Sequence, residues 1–130
     1  MYITPLYSGI FGLFFVALSV RTLLLRRKFG IAIGNNNQPI LERASRVHSN
    51  FAEYVPMSLL LIYFLELKMP SNTWIHFICM ALLLGRISHA YGVSQVQEKL
   101  VYRVVGIALT FMVIISTSVR LFIGYAQLGV

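Results

Sequence analysis

Residues 42–56 read Glu-Arg-Ala-Ser-Arg-Val-His-Ser-Asn-Phe-Ala-Glu-Tyr-Val-Pro, a charged start to a segment that is otherwise apolar. A helix advances by about 100° per residue, so the polar side chains of this stretch share a sector of about 120°. They are Glu42, Arg43, Arg46, Ser49, Asn50 and Glu53. Charged groups at membrane depth cost about 2.5–3.5 kcal/mol each on insertion scales, so they face a bundle interior, a partner or a wet cavity. The stretch therefore predicts a polar site in a membrane protein.

The composition of the whole chain agrees with a membrane protein of one domain. Of its 130 residues 58% are hydrophobic, and the mean hydropathy of +0.76 is too high for an ordinary soluble fold. Apolar runs predict four membrane-spanning helices, at roughly 3–25, 42–67, 72–93 and 99–125. No alternating pattern of the outer-membrane barrel kind is visible. The predicted fold is an all-α bundle of four transmembrane helices in a single domain, residues 1–130.

The basic residues predict the topology of the chain. The net charge is +7, but the basic side chains lie at the ends of apolar runs and not on a soluble face, which argues against a nucleic-acid partner. Those near the first and third connections are Arg21, Arg26, Arg27, Lys28, Arg43, Arg46, Arg86, Lys99 and Arg103. The positive-inside rule then places both connections in the cytoplasm and both termini on the other side. No metal-ligand spacing is present, and the single cysteine, Cys79, forms no intrachain disulfide.

The third predicted helix brings further polar side chains to the cytoplasmic level. Arg86 and His89 are three residues apart and share a face, and Tyr91 follows them. The pattern predicts that Arg86 pairs with Glu42 or Glu53.

The fourth predicted helix carries Lys99 and Arg103 near its start. Arg103 lies about one turn into the helix and is expected to reach Arg46 and Asn50 of the second helix, with snorkelling to lipid headgroups as the alternative. The alternative for the second helix itself is a structural ladder of ion pairs that starts with Glu42 and Arg46.

Summed over these helices, the predicted site has an excess of cationic groups. Such a site suits an amphoteric ligand, because guanidinium groups hold carboxylates, Glu53 takes an amine and Asn50 binds an amide. If the ligand bears a thiol, whose free pKa is about 8.5, a nearby arginine favours the nucleophilic thiolate. Glutathione has this chemistry, although charge alone does not select it.

The pattern Glu42-Arg43-x-x-Arg46-x-His48-x-Asn50-x-x-Glu53-Tyr54-x-Pro56 resembles the second-helix signature of the MAPEG family. These are the membrane-associated proteins in eicosanoid and glutathione metabolism, and they include microsomal glutathione transferases, leukotriene C4 synthase and the 5-lipoxygenase-activating protein. The segment Gly85-Arg86-x-x-His89, the chain length and the four-span layout are similar as well. The resemblance, nearest to small bacterial members, implies an inner-membrane homotrimer with glutathione between neighbouring subunits, in a site open to the cytoplasm and to lipid.

The resemblance also implies roles for individual residues. Its glutathione-binding positions match Arg46, Asn50, Glu53, Tyr54 and His89, and Arg86 and Lys99 complete the candidate set. The family arginine that stabilises the thiolate matches Arg103 if the third connection is allowed a gap of about one residue, and Lys99 is the alternative. A tyrosine that some family synthases carry one turn later is absent, which argues against eicosanoid-specific chemistry.

Three functions are compatible with these patterns. The first is a glutathione transferase or peroxidase that uses glutathione as co-substrate against a lipophilic electrophile or lipid hydroperoxide from the bilayer. The second is a non-catalytic lipid-binding accessory protein of the same family. The third is a small multidrug exporter, which is disfavoured because the first helix lacks the carboxylate that such exporters need.

Overall fold

The computed structural model describes residues 2–68 and 72–127, and within these ranges the chain forms helices and no strand. The helices are α1 (Thr4–Phe29), α2 (Pro39–Lys68), α3 (Asn72–Ser94) and α4 (Leu100–Ala126). The prediction of an all-α, four-helix fold is therefore confirmed. The homotrimer stays a prediction, and the second connection and both chain ends lie outside the described residues.

The ends of two helices differ from the predicted bounds for reasons of backbone chemistry. Helix α2 starts at Pro39, before the predicted start at residue 42, because the fixed φ of proline suits the first helical turn. Helix α1 continues past residue 25 to Phe29, where Gly30 takes the left-handed conformation at φ 67°. That conformation suits glycine, and it ends the helix after Arg26, Arg27 and Lys28.

Three helices of the described chain are long and apolar enough to cross a membrane. They are α1, α4 and the segment Thr73–Ser94 of α3. Helix α2 is longer than any of them, at 30 residues, but its first half carries the charged stretch and lowers its hydropathy. The membrane crossing of α2 therefore stays a prediction.

Helices α3 and α4 approach each other backbone to backbone. A Cβ atom added at Gly106 would lie 2.6 Å from the carbonyl oxygen of Gly85 and 2.6 Å from the amide nitrogen of His89. Glycine is the residue that permits such an approach, because any side chain would occupy this space. The close crossing fixes the first turns of α4 against the last turns of α3.

The apolar core lies mainly between α1, α2 and α3. Phe51 of α2 packs in this core against two aromatic rings of α1. The centroid of its ring lies 6.0 Å from that of Phe11 and 5.1 Å from that of Phe14. At one end of the bundle, buried Glu66 accepts hydrogen bonds from the backbone N–H groups of Ile3 and Thr4, which start α1. A carboxylate there satisfies donors that a helix N-terminus leaves unpaired. The opposite end of the bundle is open.

Candidate functional site

A cavity of about 540 Å³ opens where α2 and α4 begin and α3 ends. It is lined by Pro39, Glu42, Arg43, Arg46, Ser49, Asn50, Glu53, His89, Val93, Glu98 and Arg103. Small-molecule pockets in proteins measure roughly 300–1,000 Å³, so the cavity has the size of a ligand site. The polar stripe predicted for α2 forms one wall, and α3, α4 and the connection between them form the rest.

Five of the candidate residues from the sequence line this one cavity. They are Arg46, Asn50 and Glu53 of α2, His89 of α3 and Arg103 of α4. His89 is buried and Asn50 half-buried, whereas the other three are exposed in the single chain. The fold thus brings together side chains that are up to 57 positions apart, from 46 to 103. Their roles in binding stay predictions.

Arg86 lies in the wall behind the cavity and not on its surface. Its side chain is 2% exposed, and it donates from Nη1 to Asn50 Oδ1 at 2.7 Å and from Nη2 to the Gly106 carbonyl at 3.4 Å. Its guanidinium carbon lies 5.9 Å from the centroid of the Tyr54 ring, within the range of a cation–π contact. Tyr54 and Arg86 line a small separate hollow on this side. Arg86 therefore joins α2, α3 and α4 and sets the position of Asn50.

The expected ion pair of Arg86 with Glu42 or Glu53 is not formed, and that prediction was wrong. Among the residues that the structure describes, no carboxylate makes an ion pair with Arg86. The physical reason is burial: Glu42 and Glu53 lie on the exposed side of α2 and stay solvated, whereas Arg86 is enclosed between helices. Within residues 2–68 and 72–127, an amide and a carbonyl accept from its two Nη atoms, Nε has no acceptor, and no carboxylate is buried beside it, which would cost several kcal/mol.

The contact between Asn50 and Arg86 gives a first testable prediction. Asn50→Ala is expected to lower the free energy of unfolding by about 1.5–3 kcal/mol, because it removes the acceptor for a buried charged donor. Asn50→Asp keeps an acceptor at the same place and is expected to retain most of the stability. Thermal unfolding in detergent, followed by circular dichroism, compares the two variants. Equal losses in both would contradict the assignment.

Lys99 lies in a different hollow from Arg103. That hollow, of about 130 Å³, is lined by Tyr91, Gln95, Gln97, Lys99 and Tyr102. Lys99 is the N-cap of α4 and has an extended backbone conformation. It therefore precedes the first helical turn and does not follow the helical spacing that places Arg103. The structure therefore separates the two sequence candidates and places Arg103, but not Lys99, at the cavity that holds Asn50 and Glu53.

Glu98 is a cavity residue that the sequence interpretation missed. Its Oε2 accepts a hydrogen bond from Arg43 Nη1 at 3.1 Å, and its Oε1 lies 3.8 Å from Arg103 Nη1. Arg43 Nη1 also donates to the Val93 carbonyl at 3.0 Å and so holds the third connection against α2. Glu98 lies in a connection, where helical periodicity gives no signal. The available signal was its charge. The chain has only 4 acidic residues against 11 basic ones, so each acidic residue is a candidate partner for an arginine.

The charge of the lining differs from the predicted cationic excess. Lys99 and Arg86 are outside the lining, and Arg43 and Glu98 are inside it. The charged lining residues are Glu42, Glu53, Glu98, Arg43, Arg46 and Arg103, three of each sign. Within the described ranges, the ion pairs run from Glu98 to Arg43 and Arg103 and not along α2. A structural ladder from Glu42 to Arg46 is thus not formed, and the cavity suits a ligand that carries charges of both signs.

The same cavity has no arrangement for a metal ion. Nowhere in the described part of the chain do three histidine, cysteine, aspartate or glutamate side chains lie together in a way that would hold one.

The sequence is similar to known proteins over most of its length. The model of the MAPEG family matches residues 4–123. The chain is 33% identical over 91 residues to the inner membrane protein YecN of Escherichia coli K12, covering 69% of each protein. It has the same identity and coverage with the protein of that name from E. coli O6:H1 strain CFT073. No solved structure matches the chain.

Proposed function

Because the chain belongs to the MAPEG family, we propose that it is an integral membrane enzyme that binds glutathione in the cavity and activates the glutathione thiol. The activated thiol attacks a lipophilic electrophile or a hydroperoxide. One observation carries the proposal: Arg46, Asn50, Glu53, His89 and Arg103, chosen from the sequence, line one cavity of about 540 Å³.

The cavity offers polar groups that suit those of glutathione. The tripeptide carries two carboxylates, one ammonium group, two amides and a thiol. Arg46 is available for a carboxylate, because guanidinium groups form paired hydrogen bonds with carboxylates, whereas Arg43 already binds Glu98 and the Val93 carbonyl. Asn50 lies deeper, where its amide N–H₂ is free to donate to a peptide carbonyl while Oδ1 accepts from Arg86.

Arg103 is the residue proposed to activate the thiol. Its positive charge at the cavity favours the thiolate over the thiol and lowers the pKa of the bound sulfur from its free value of about 8.5. The thiol proton leaves to water at the cavity mouth. Arg103 is 49% exposed at its side chain, so it has room to turn towards a ligand.

Two reactions follow from an activated thiolate. In conjugation, the sulfur forms a bond to the electrophilic carbon, and the leaving group departs with its electron pair. In peroxide reduction, the sulfur attacks one peroxide oxygen, the O–O bond breaks, and the alcohol leaves after taking up a proton. The resulting sulfenic acid reacts with a second glutathione thiol to give the disulfide and water.

The second substrate is proposed to arrive through the bilayer. The outer face of α4 carries apolar residues that the single chain leaves exposed, among them Val104, Phe111 and Met112. Phe111 and Ile107 also line the small hollow beside Tyr54 and Arg86. A lipophilic compound dissolved in the membrane would reach the thiol along this face without crossing water.

Assembly as a homotrimer is part of the same proposal. In a single chain the charged side chains of Arg46 and Glu53 are exposed on α2. Charged groups on a membrane helix are expected to face a wet cavity or a partner, so a neighbouring subunit is proposed to shield this side of α2 from lipid and to leave the carboxylate of Glu53 facing the water of the cavity.

The direct test is glutathione binding to the purified protein in detergent, measured by calorimetry. The wild-type protein is expected to bind. Glu53→Ala is expected to weaken binding about 10- to 100-fold, because it removes a carboxylate proposed to accept a hydrogen bond from an amide N–H of the peptide. Gln97→Ala, which lies in the separate hollow beside Lys99, is the matched control and is expected to bind like the wild type.

The outcomes of this test separate the candidate functions. If the wild-type protein binds no glutathione, the proposed function is wrong. Binding of lipid without binding of glutathione would instead support a non-catalytic accessory protein.

A further inference from the structure

The carboxylate of Glu98 has one oxygen without a hydrogen-bond donor. Oε2 is satisfied by Arg43, but Oε1 is buried and accepts no hydrogen bond. The nearest cation is Arg103, whose Nη1 lies 3.8 Å from Oε1, too far for a hydrogen bond. Glu98 lines the cavity together with Arg103, and Oε1 becomes accessible to a ligand there when the Arg103 side chain moves away from it.

The other two carboxylates of the cavity differ from Glu98 in burial. Glu42 and Glu53 are exposed in the single chain, where water can reach them, whereas the side chain of Glu98 is 11% exposed. A buried acceptor that lacks a donor gains more from a new hydrogen bond than a carboxylate already bonded to water. A cationic donor on the ligand is therefore expected to prefer Glu98 to Glu53.

We infer that Glu98 recognises the primary ammonium group of the ligand and makes the site specific for acidic peptides with a free amine. This inference rests on the proposed function and assigns the amine to a residue other than Glu53. The ammonium N–H donates to Oε1, and Arg43 keeps Oε2 in place. Glu98 is thus a specificity-determining residue of the binding step.

The charges around Glu98 stay balanced when the ligand binds. In the structure its carboxylate is shared by Arg43, which is held by two acceptors, and by Arg103, which makes only a loose ion pair. An anionic group of the ligand draws Arg103 away from Glu98, and the ammonium takes its place at Oε1. Blocking the amine removes the replacement cation and leaves Oε1 without a donor.

The test compares glutathione with N-acetylglutathione, in which the amine is blocked. In the wild-type protein, the ratio of the two dissociation constants is expected to be on the order of 10- to 100-fold in favour of glutathione. Glu98→Gln keeps the shape and an acceptor for Arg43 and is expected to reduce this ratio to roughly threefold or less. Glu53→Gln is expected to keep the wild-type ratio.

Each outcome decides a separate question. Should Glu98→Gln keep the wild-type ratio, or should Glu53→Gln be the variant that loses it, the inference is overturned while the proposed function stands. If the wild-type protein binds neither peptide, the proposed function fails and this assignment fails with it.

A second variant covers the case in which Glu98→Gln does not fold. Glu98→Asp retains the charge but withdraws the carboxylate by one methylene. The ratio of the two dissociation constants is expected to fall below the wild-type value but to stay above roughly threefold. A ratio equal to that of the wild type in this variant would overturn the inference.

Discussion

Arg103→Ala is expected to lower kcat/KM for conjugation of glutathione to an activated chlorodinitrobenzene about 100- to 1,000-fold. Removal of one group that stabilises a reacting anion costs about this much in other enzymes. The thiolate also loses the cation that lowers its pKa, so the ultraviolet absorbance of the thiolate that appears on adding glutathione is expected to disappear at neutral pH. Initial rates and difference spectra of the detergent-solubilised protein measure both effects.

Lys99→Ala is the matched control for Arg103→Ala. It removes a cation from the start of the same helix, but that side chain lies in the separate hollow with Tyr91 and Tyr102. We expect its kcat/KM to stay within about twofold of the wild type, as for other surface substitutions away from a site. A large loss in Lys99→Ala with little effect of Arg103→Ala would reverse the assignment of the thiol-binding residue.

Gly106→Ala is expected to destabilise the fold by roughly 3 kcal/mol and to abolish ligand binding. The added Cβ would lie 2.6 Å from the Gly85 carbonyl oxygen, 2.6 Å from the His89 nitrogen and 2.7 Å from the His89 Cβ. These are mainly backbone atoms, which no rotamer change moves away, so the overpacking forces α3 and α4 apart. Thermal unfolding and glutathione calorimetry measure the loss.

Gly124→Ala provides the control on the same helix. A Cβ at Gly124 meets nothing within 4 Å, so this substitution gains helix propensity without a clash. It is expected to be neutral or to stabilise by about 0.5–1 kcal/mol. If Gly106→Ala and Gly124→Ala have the same melting temperature, the close approach of α3 and α4 does not require glycine at position 106.

The separation of α3 from α4 in Gly106→Ala would reach the cavity through specific contacts. The Gly106 carbonyl accepts from Arg86, which in turn donates to Asn50, and His89 lies against the same glycine. Arg103 is one turn before Gly106 on α4. A displacement of α4 therefore moves groups that line the cavity on three helices.

The class of fold and most of the cavity residues could be predicted from the sequence. Apolar length predicts helices because a bilayer sets how many residues a span needs, and the polar sector of residues 42–53 predicts one wall of a site. Arg46, Asn50 and Glu53 were found in this way, because they lie on one face of one helix whatever the rest of the chain does. His89 and Arg103 were found as polar residues near the cytoplasmic ends of the third and fourth predicted helices, and the resemblance to the MAPEG family added their roles.

Only the tertiary structure decided which partner each polar group has. Helical periodicity shows which side of its own helix a residue occupies, but not the neighbour that faces it or its depth. Arg86 pairs with Asn50 because burial excluded the hydrated carboxylates, and Lys99 and Arg103 separate because the first precedes the helix. Glu98 lies in a connection, which has no periodicity, and its place beside Arg103 is set by the packing of α2, α3 and α4.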